Sequence, residues 1–201
     1  MAERRAPGRK RLLVLGAGAA QLGILEAARA RGLEIVTADR DPDAIGVALA
    51  DHRAVVSAED EEAVERVARD HSVDALIAAG IDWPVRVAAA VAERLALPHP
   101  LSSQAARAAT SKLAQRETFE HAGVPQPRWQ VVRSPDEVTL APPFVVKAPD
   151  RQGQRGLGVV RERAELAEAL GNALAASRSG ACLVEELIEG PELTVNAFSV
   201  G

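Results

Sequence analysis

Three features of this 201-residue sequence could carry chemistry. The first is Asp150-Arg151-Gln152-Gly153-Gln154-Arg155-Gly156-Leu157-Gly158-Val159-Val160, a polar, glycine-rich loop that returns into an apolar run. Such a hairpin can close over phosphates, with backbone N–H groups and arginine as donors. It is not a P-loop, because no Gly-Lys-Ser/Thr follows and no helix pattern starts there. The second is Gly16-Ala17-Gly18-Ala19-Ala20-Gln21-Leu22-Gly23, close to the dinucleotide fingerprint but with Gln21 where its third glycine belongs. Asp39 stands 21 positions beyond Gly18, about where a ribose-binding carboxylate would lie. These residues admit a nicotinamide cofactor. A plain strand-to-helix turn explains Gly16 and Gly18 better, with Asp39 and Asp41 as solvated loop carboxylates. The third feature is the use of lysine. Of 24 basic residues 21 are arginine, and the three lysines are Lys10, Lys112 and Lys147. In a chain so biased, each lysine asks for a reason.

Composition narrows the classes. Hydrophobic residues make up 47% and charged residues 26%, which is ordinary for a globular chain and excludes disordered and fibrous ones. A net charge of −4 argues against a nucleic-acid binder driven by a basic face. One cysteine, Cys182, allows no internal disulfide, and four scattered histidines beside it make no zinc signature. This predicts a protein of the reducing cytoplasm. No apolar run reaches the length of a membrane span. The basic start Met1 to Arg11 precedes Leu12 to Leu15, but Gly16, Gly18, Gln21 and Glu26 break the run too early for a signal peptide.

The elements that must position these features alternate. Leu12–Leu15 reads as a strand and Ala19–Arg31 as a helix, with Leu22, Leu25 and Ala28 in register and Gly32 as its stop. Glu34–Ala38 and Ala75–Ala79 read as strands and Glu61–His71 as a helix. A further helix runs over Val85–Leu95, with Asp82 as N-cap and Pro84 in its first turn. Strands alternating with helices predict a parallel sheet with crossovers. Leu97-Pro98-His99-Pro100-Leu101 disfavours helix and is taken as a boundary, giving domains 1–100 and 101–201. Beyond it come two helical patterns, Ser102–Ala109 and one from Ser111 that stops at Gly123. Strands follow at Trp129–Val132 and Pro142–Lys147, then the glycine-rich loop, a helix at Arg163–Leu174, a strand at Cys182–Val184 and an apparent strand at Leu193–Val200.

The order of motifs in this second half is specific. Ser-Lys-Leu-Ala-Gln-Arg-Glu opens a helix, Ala-Gly-Val-Pro-Gln-Pro follows, and then Phe-Val-Val-Lys. A Gly-Gln-Arg-Gly-Leu-Gly loop and Leu-Val-Glu-Glu-Leu-Ile-Glu-Gly-Pro-Glu complete the set. In this order the chain resembles the ATP-grasp superfamily, notably its carbamoyl-phosphate-synthase-like and carboxylate–amine ligase branches. The resemblance extends from Arg11 onward. It implies an α/β fold: a Rossmann-like preATP-grasp parallel sheet, then the N-terminal part of an ATP-grasp α+β domain. It also implies roles. Lys112 and Lys147 would contact the phosphates of ATP, and the loop Gln152, Gly153, Gln154, Arg155, Gly156 to Gly158 would be a flap over them. Glu185 would accept from the adenine amino group, the Glu186 carbonyl and the Ile188 N–H would meet the adenine edge, and Glu192 would hold the ribose. A triphosphate needs compact fixed cations, and two of the three lysines fall at these positions.

The resemblance further implies a reaction. ATP phosphorylates a small carboxylate, and an amine or other nucleophile attacks the acyl phosphate. Partners would be those small molecules, with no nucleic acid or membrane, and a homo-oligomer is compatible. Gly16, Gly18, Gln21 and Asp39 would lie at strand carboxyl ends and are the candidates for touching the acceptor substrate. The family's Mg2+ ligands follow the ribose-binding glutamate. No side-chain carboxylate follows Glu192 here, so metal ligands are expected beyond residue 201 and none in this chain. The expectation is therefore the ATP-binding N-terminal portion of a larger ligase, or a truncated copy of one. A non-catalytic ATP-binding subunit is the alternative, and a nicotinamide-dependent oxidoreductase leaves everything after residue 101 unexplained.

Overall fold

The computed structural model describes residues 8–151, 153–191, 193 and 195. The chain packs as two units, 1–111 and 112–201.

In the first unit, β1 (Arg11–Leu15), β2 (Glu34–Asp39), β3 (His52–Val55) and β4 (Ala75–Ala78) form a parallel sheet in the order β3-β2-β1-β4. Leu13 of β1 lies beside Val36 and Leu76. Both faces are covered, which is why β1 is a continuous apolar run rather than an alternating one. Leu13, Leu15, Val36 and Leu76 pack with Val64 and Val67 of α2 (Glu61–Asp70) and Val87 and Val91 of α3 (Asp82–Arg94). Val14 and Ile35 pack on the other face with Leu25 and Ala28 of α1 (Leu22–Ala30).

Three expectations shift. Asp82 is the first residue of α3 rather than its N-cap; Ile81 holds that position with no side-chain bond. The aspartate still suits the helix's positive end. β3 was missed because His52-Arg53-Ala54-Val55 carries no apolar run; it is an edge strand whose pairing with β2 supplies what its sequence lacks. The two units divide after Ser111, later than the proline pair suggests. Ser102 Oγ accepts from Ala105 N at 3.1 Å to cap α4 (Ser103–Thr110), whose Ala106 is fully buried. Glu93 of α3 accepts from Ser103 N at 3.3 Å, so α4 stays with the first unit.

The second unit opens with α5 (Lys112–His121). β5 (Trp129–Val132), β6 (Phe144–Lys147), β7 (Leu157–Val160) and β8 (Cys182–Glu186) form an antiparallel sheet in the order β5-β8-β6-β7. Phe144, Val146, Val160, Cys182 and Val184 face α6 (Leu166–Ala176), where they meet Leu166, Leu170 and Ala173. Burial pushes the Cys182 thiol up to about 11, so it is inert near neutrality. The apparent strand Leu193–Val200 lies largely outside the described residues.

Two of the loop glycines have packing duties. At Gly156, φ is +67°, and a Cβ would lie 2.7 Å from Ala176 Cβ and 3.2 Å from the Ala173 backbone; at Gly158 it would lie 3.2 Å from Ala169 Cβ. Gly156→Ala is therefore expected to destabilise the second unit by about 2–4 kcal/mol, combining the left-handed penalty with overpacking. Urea denaturation measures this, and a loss below about 0.5 kcal/mol would mean α6 yields freely.

Candidate functional site

β-Strand alternation sorts the second sheet into two faces. Opposite the α6 face lie Val145 and Lys147 of β6. Their register neighbours are Glu185 and Leu183 of β8, Val159 and Leu157 of β7, and, beyond β8, Trp129 and Val131 of β5. On this face Leu157 and Val159 are 47% and 44% exposed. They form an apolar border beside two charged groups.

Those groups meet. Glu185 is only 4% exposed. Arg116 of α5 forks onto it, Nε donating to Oε1 at 2.7 Å and Nη2 to Oε2 at 3.0 Å. The Lys147 ammonium lies 2.5 Å from Oε2. Burial pushes the Glu185 carboxyl up, but the hydrogen bonds and charges of Arg116 and Lys147 outweigh it and hold the group below the usual carboxylate range. Arg116 is itself braced by the Pro-Gln-Pro segment. Its Nη1 donates to Gln126 Oε1 at 3.4 Å, and Gln126 Nε2 donates to the Arg116 carbonyl at 3.0 Å.

Lys112 begins α5 at the base of the glycine-rich loop. Its N–H donates to Pro149 O at 3.0 Å, and its Nζ donates to the Arg151 carbonyl. The Arg151 side chain reaches the Ala176 carbonyl at 2.6 Å, and Asp150 accepts from the N–H groups of Arg178 and Ser179. Gly153 and Gln154 both take left-handed conformations, φ +64° and +60°, and a Cβ on Gly153 would meet nothing within 4 Å. Arg155 follows them in the same exposed turn. Glu186 turns its side chain to Arg128, with Nε 3.2 Å from Oε2, and Ile188 is exposed just past β8. Gln152 and Glu192 lie outside the described residues.

Sequence reasoning thus named Lys112, Lys147 and Glu185 but missed Arg116 and Gln126. A signal existed: Arg116 lies one helical turn after Lys112, and a carboxylate on a buried strand requires cations.

In the first unit, Gly16, Gly18, Gln21 and Asp39 gather at the carboxyl ends of β1 and β2, and each carries structural work. Asp39 is more than a solvated carboxylate: Oδ2 accepts from Ala17 N at 2.7 Å and Oδ1 from Asp41 N at 2.9 Å. The buried Gln21 donates to the Ala79 carbonyl at 2.6 Å, linking the ends of β1 and β4 where the strand order reverses. Gly46 seals the turn from the other side, donating to Ala17 O at 2.7 Å; a Cβ there would lie 2.6 Å from that oxygen. Among the described residues, no group of three or more His, Cys, Asp or Glu could hold a metal ion, and no helix is long and apolar enough to cross a membrane.

A parallel α/β unit joined to an antiparallel sheet with a buried Lys–Glu–Arg cluster defines the class, an α/β protein of two units. No family model matches the chain. A D-alanine–D-alanine ligase of Synechococcus sp. (strain JA-2-3B'a(2-13)) is 29% identical over 134 residues, covering 63% of this chain and 37% of the ligase. A carbamoyl-phosphate synthase of Methanobrevibacter smithii is 27% identical over 179 residues, 85% of this chain and 47% of that protein. Among solved structures, an ADP complex of N5-carboxyaminoimidazole ribonucleotide synthetase aligns with a TM-score of 0.73 at 22% identity, covering 89% of this chain and 47% of the other. These likenesses are consistent with the ATP-grasp superfamily, and the fold with a preATP-grasp sheet as the first unit. It spans less than half the length of each of these proteins.

Proposed function

We propose that the chain is the ATP-binding front of a ligase that activates a small carboxylate as an acyl phosphate and passes it to an amine or other nucleophile. The observation that carries this reading is Lys147, held by a buried carboxylate on a sheet face bordered by exposed Leu157 and Val159. An apolar border beside a fixed ammonium suits a purine ring joined to a polyphosphate. Lys112 and Lys147 supply point charges to the phosphates. The turn Gly153, Gln154, Arg155 and Gly156 supplies backbone N–H groups, and its open Gly153 lets backbone approach a ligand closely. The Glu186 carbonyl and Ile188 N–H, at the end of β8, serve the adenine edge. Glu192 is assigned to the ribose by resemblance alone. Mg2+ would supply charge neutralisation to the phosphates; among the described residues no group of three or more His, Cys, Asp or Glu could hold it.

The geometry of Glu185 modifies one expectation. Both its oxygens already accept from cations, so its role is to hold Lys147 rather than to read the adenine amino group.

Thermal denaturation of the intact protein with ATP and Mg2+, NAD or NADP tests the reading. ATP at about 100 times its dissociation constant contributes about 2.7 kcal/mol and raises the melting temperature by several degrees. NAD and NADP leave it unchanged. Stabilisation by NAD with none by ATP would overturn the proposal.

A further inference from the structure

We propose that Arg116 is a positioning residue that keeps the Lys147 ammonium available to an anionic ligand by taking up the charge of Glu185. The inference deepens the nucleotide reading above and rests on it.

A carboxylate beside a lysine has two opposing effects. It fixes the ammonium, and it cancels the ammonium's charge toward anything else. Glu185 alone with Lys147 would be a neutral pair, with little attraction for phosphate. Arg116 changes the balance. Its fork engages both oxygens of Glu185, and Lys147 meets Oε2. Two cations against one buried anion leave one net positive charge. The Lys147 and Arg116 side chains each keep 19% of their surface exposed, whereas Glu185 is almost fully covered. With both carboxylate oxygens engaged by the Arg116 fork, the surplus charge is left to Lys147. A bidentate guanidinium suits the carboxylate because it matches both oxygens, and a point-charge ammonium suits a phosphate. Gln126 bonds the Arg116 side chain and its carbonyl, so the fork is aimed before any ligand arrives.

The probes are ATP and adenosine, titrated calorimetrically into the intact wild type and four variants. Arg116→Met is expected to weaken ATP about 10- to 30-fold, as for loss of one charge-assisted phosphate contact, and adenosine by less than about threefold. Arg116→Lys keeps the charge and is expected within about fivefold of wild type for ATP. Arg116→Met combined with Glu185→Gln removes the anion as well as its partner. It restores ATP to within about fivefold of wild type, a rescue that a purely architectural role would not give. If Arg116→Met does not fold, Arg116→Lys and the double variant carry the test. Equal losses for ATP and adenosine, or a double variant no better than Arg116→Met, would overturn the inference. If Lys147→Ala weakens ATP while Arg116→Met does not, the inference falls and the nucleotide site stands. If the wild type binds no ATP, both fall.

Discussion

Lys147→Ala is expected to lower ATP affinity about 10- to 100-fold, the range for losing a charged hydrogen bond to phosphate. The loss should exceed that of any other single change in the second unit. The ammonium leaves the ligand face, and Glu185 keeps only Arg116. Lys147→Arg should not restore the affinity. A guanidinium beside a carboxylate already forked by another guanidinium has no free edge to match, and its charge is spread. Calorimetric titration gives the dissociation constants directly. Unchanged affinity in Lys147→Ala would remove the main support for an ATP site.

The largest expected effect on stability lies in the first unit. At the amino ends of β1 and β2, Arg11 and Glu34 are 3% and 6% exposed. Glu34 Oε1 accepts from Arg11 Nη2 and faces His52 Nε2, both at 2.7 Å, while Arg11 Nε and Glu34 Oε2 are buried without a hydrogen-bond partner. Glu34→Gln strands the Arg11 charge and should cost about 3–5 kcal/mol. Arg11→Met with Glu34→Leu should recover most of that, because apolar residues of similar volume replace a buried pair at little cost. The same pair predicts an acid transition. The hydrogen bond from Arg11 holds the Glu34 carboxyl down, burial opposes it, and His52 adds to the lowering. A depressed folded value means the stabilisation is complete above the ordinary value near 4.5 and is lost as pH falls through the lower folded one. Wild type should therefore weaken below about pH 4.5, and Glu34→Gln should show a flatter acid limb. Denaturant melts at neutral and acid pH measure both. A cost under about 1 kcal/mol for Glu34→Gln would show that water already shares the charge.

Much of this was legible in the residues, for reasons that differ by element. β1 and β2 announced themselves because a strand buried on both faces must be apolar throughout. α2 and α4 were legible as helical patterns, and the structure adds the caps, Asp60 accepting from Ala63 N and Ser102 from Ala105 N. β3 stayed hidden because its place depends on β2, and no local pattern records a neighbour. In the site, the scarcity of lysine exposed Lys112 and Lys147. Nothing comparable marked Arg116, one arginine among 21. Its role follows from a carboxylate 69 positions away, visible only once α5 lies on β8. The glycine-rich loop was read as one unit, but Gly156 and Gly158 answer to α6 while Gly153 stands open.

The attachment of α5 has one more consequence. None of its residues is fully buried, and its bonds to the sheet and loop are polar: Lys112 to Pro149 and Arg151, and Arg116 to Glu185. A helix fastened by charge opens at a lower free energy than one seated in oil. When it lifts, it carries Lys112 and the guanidinium paired with Glu185 away together. Docking of this helix and assembly of the site are one equilibrium. A ligand that bridges Lys112 and Lys147 fastens the helix, and part of its intrinsic affinity is spent doing so.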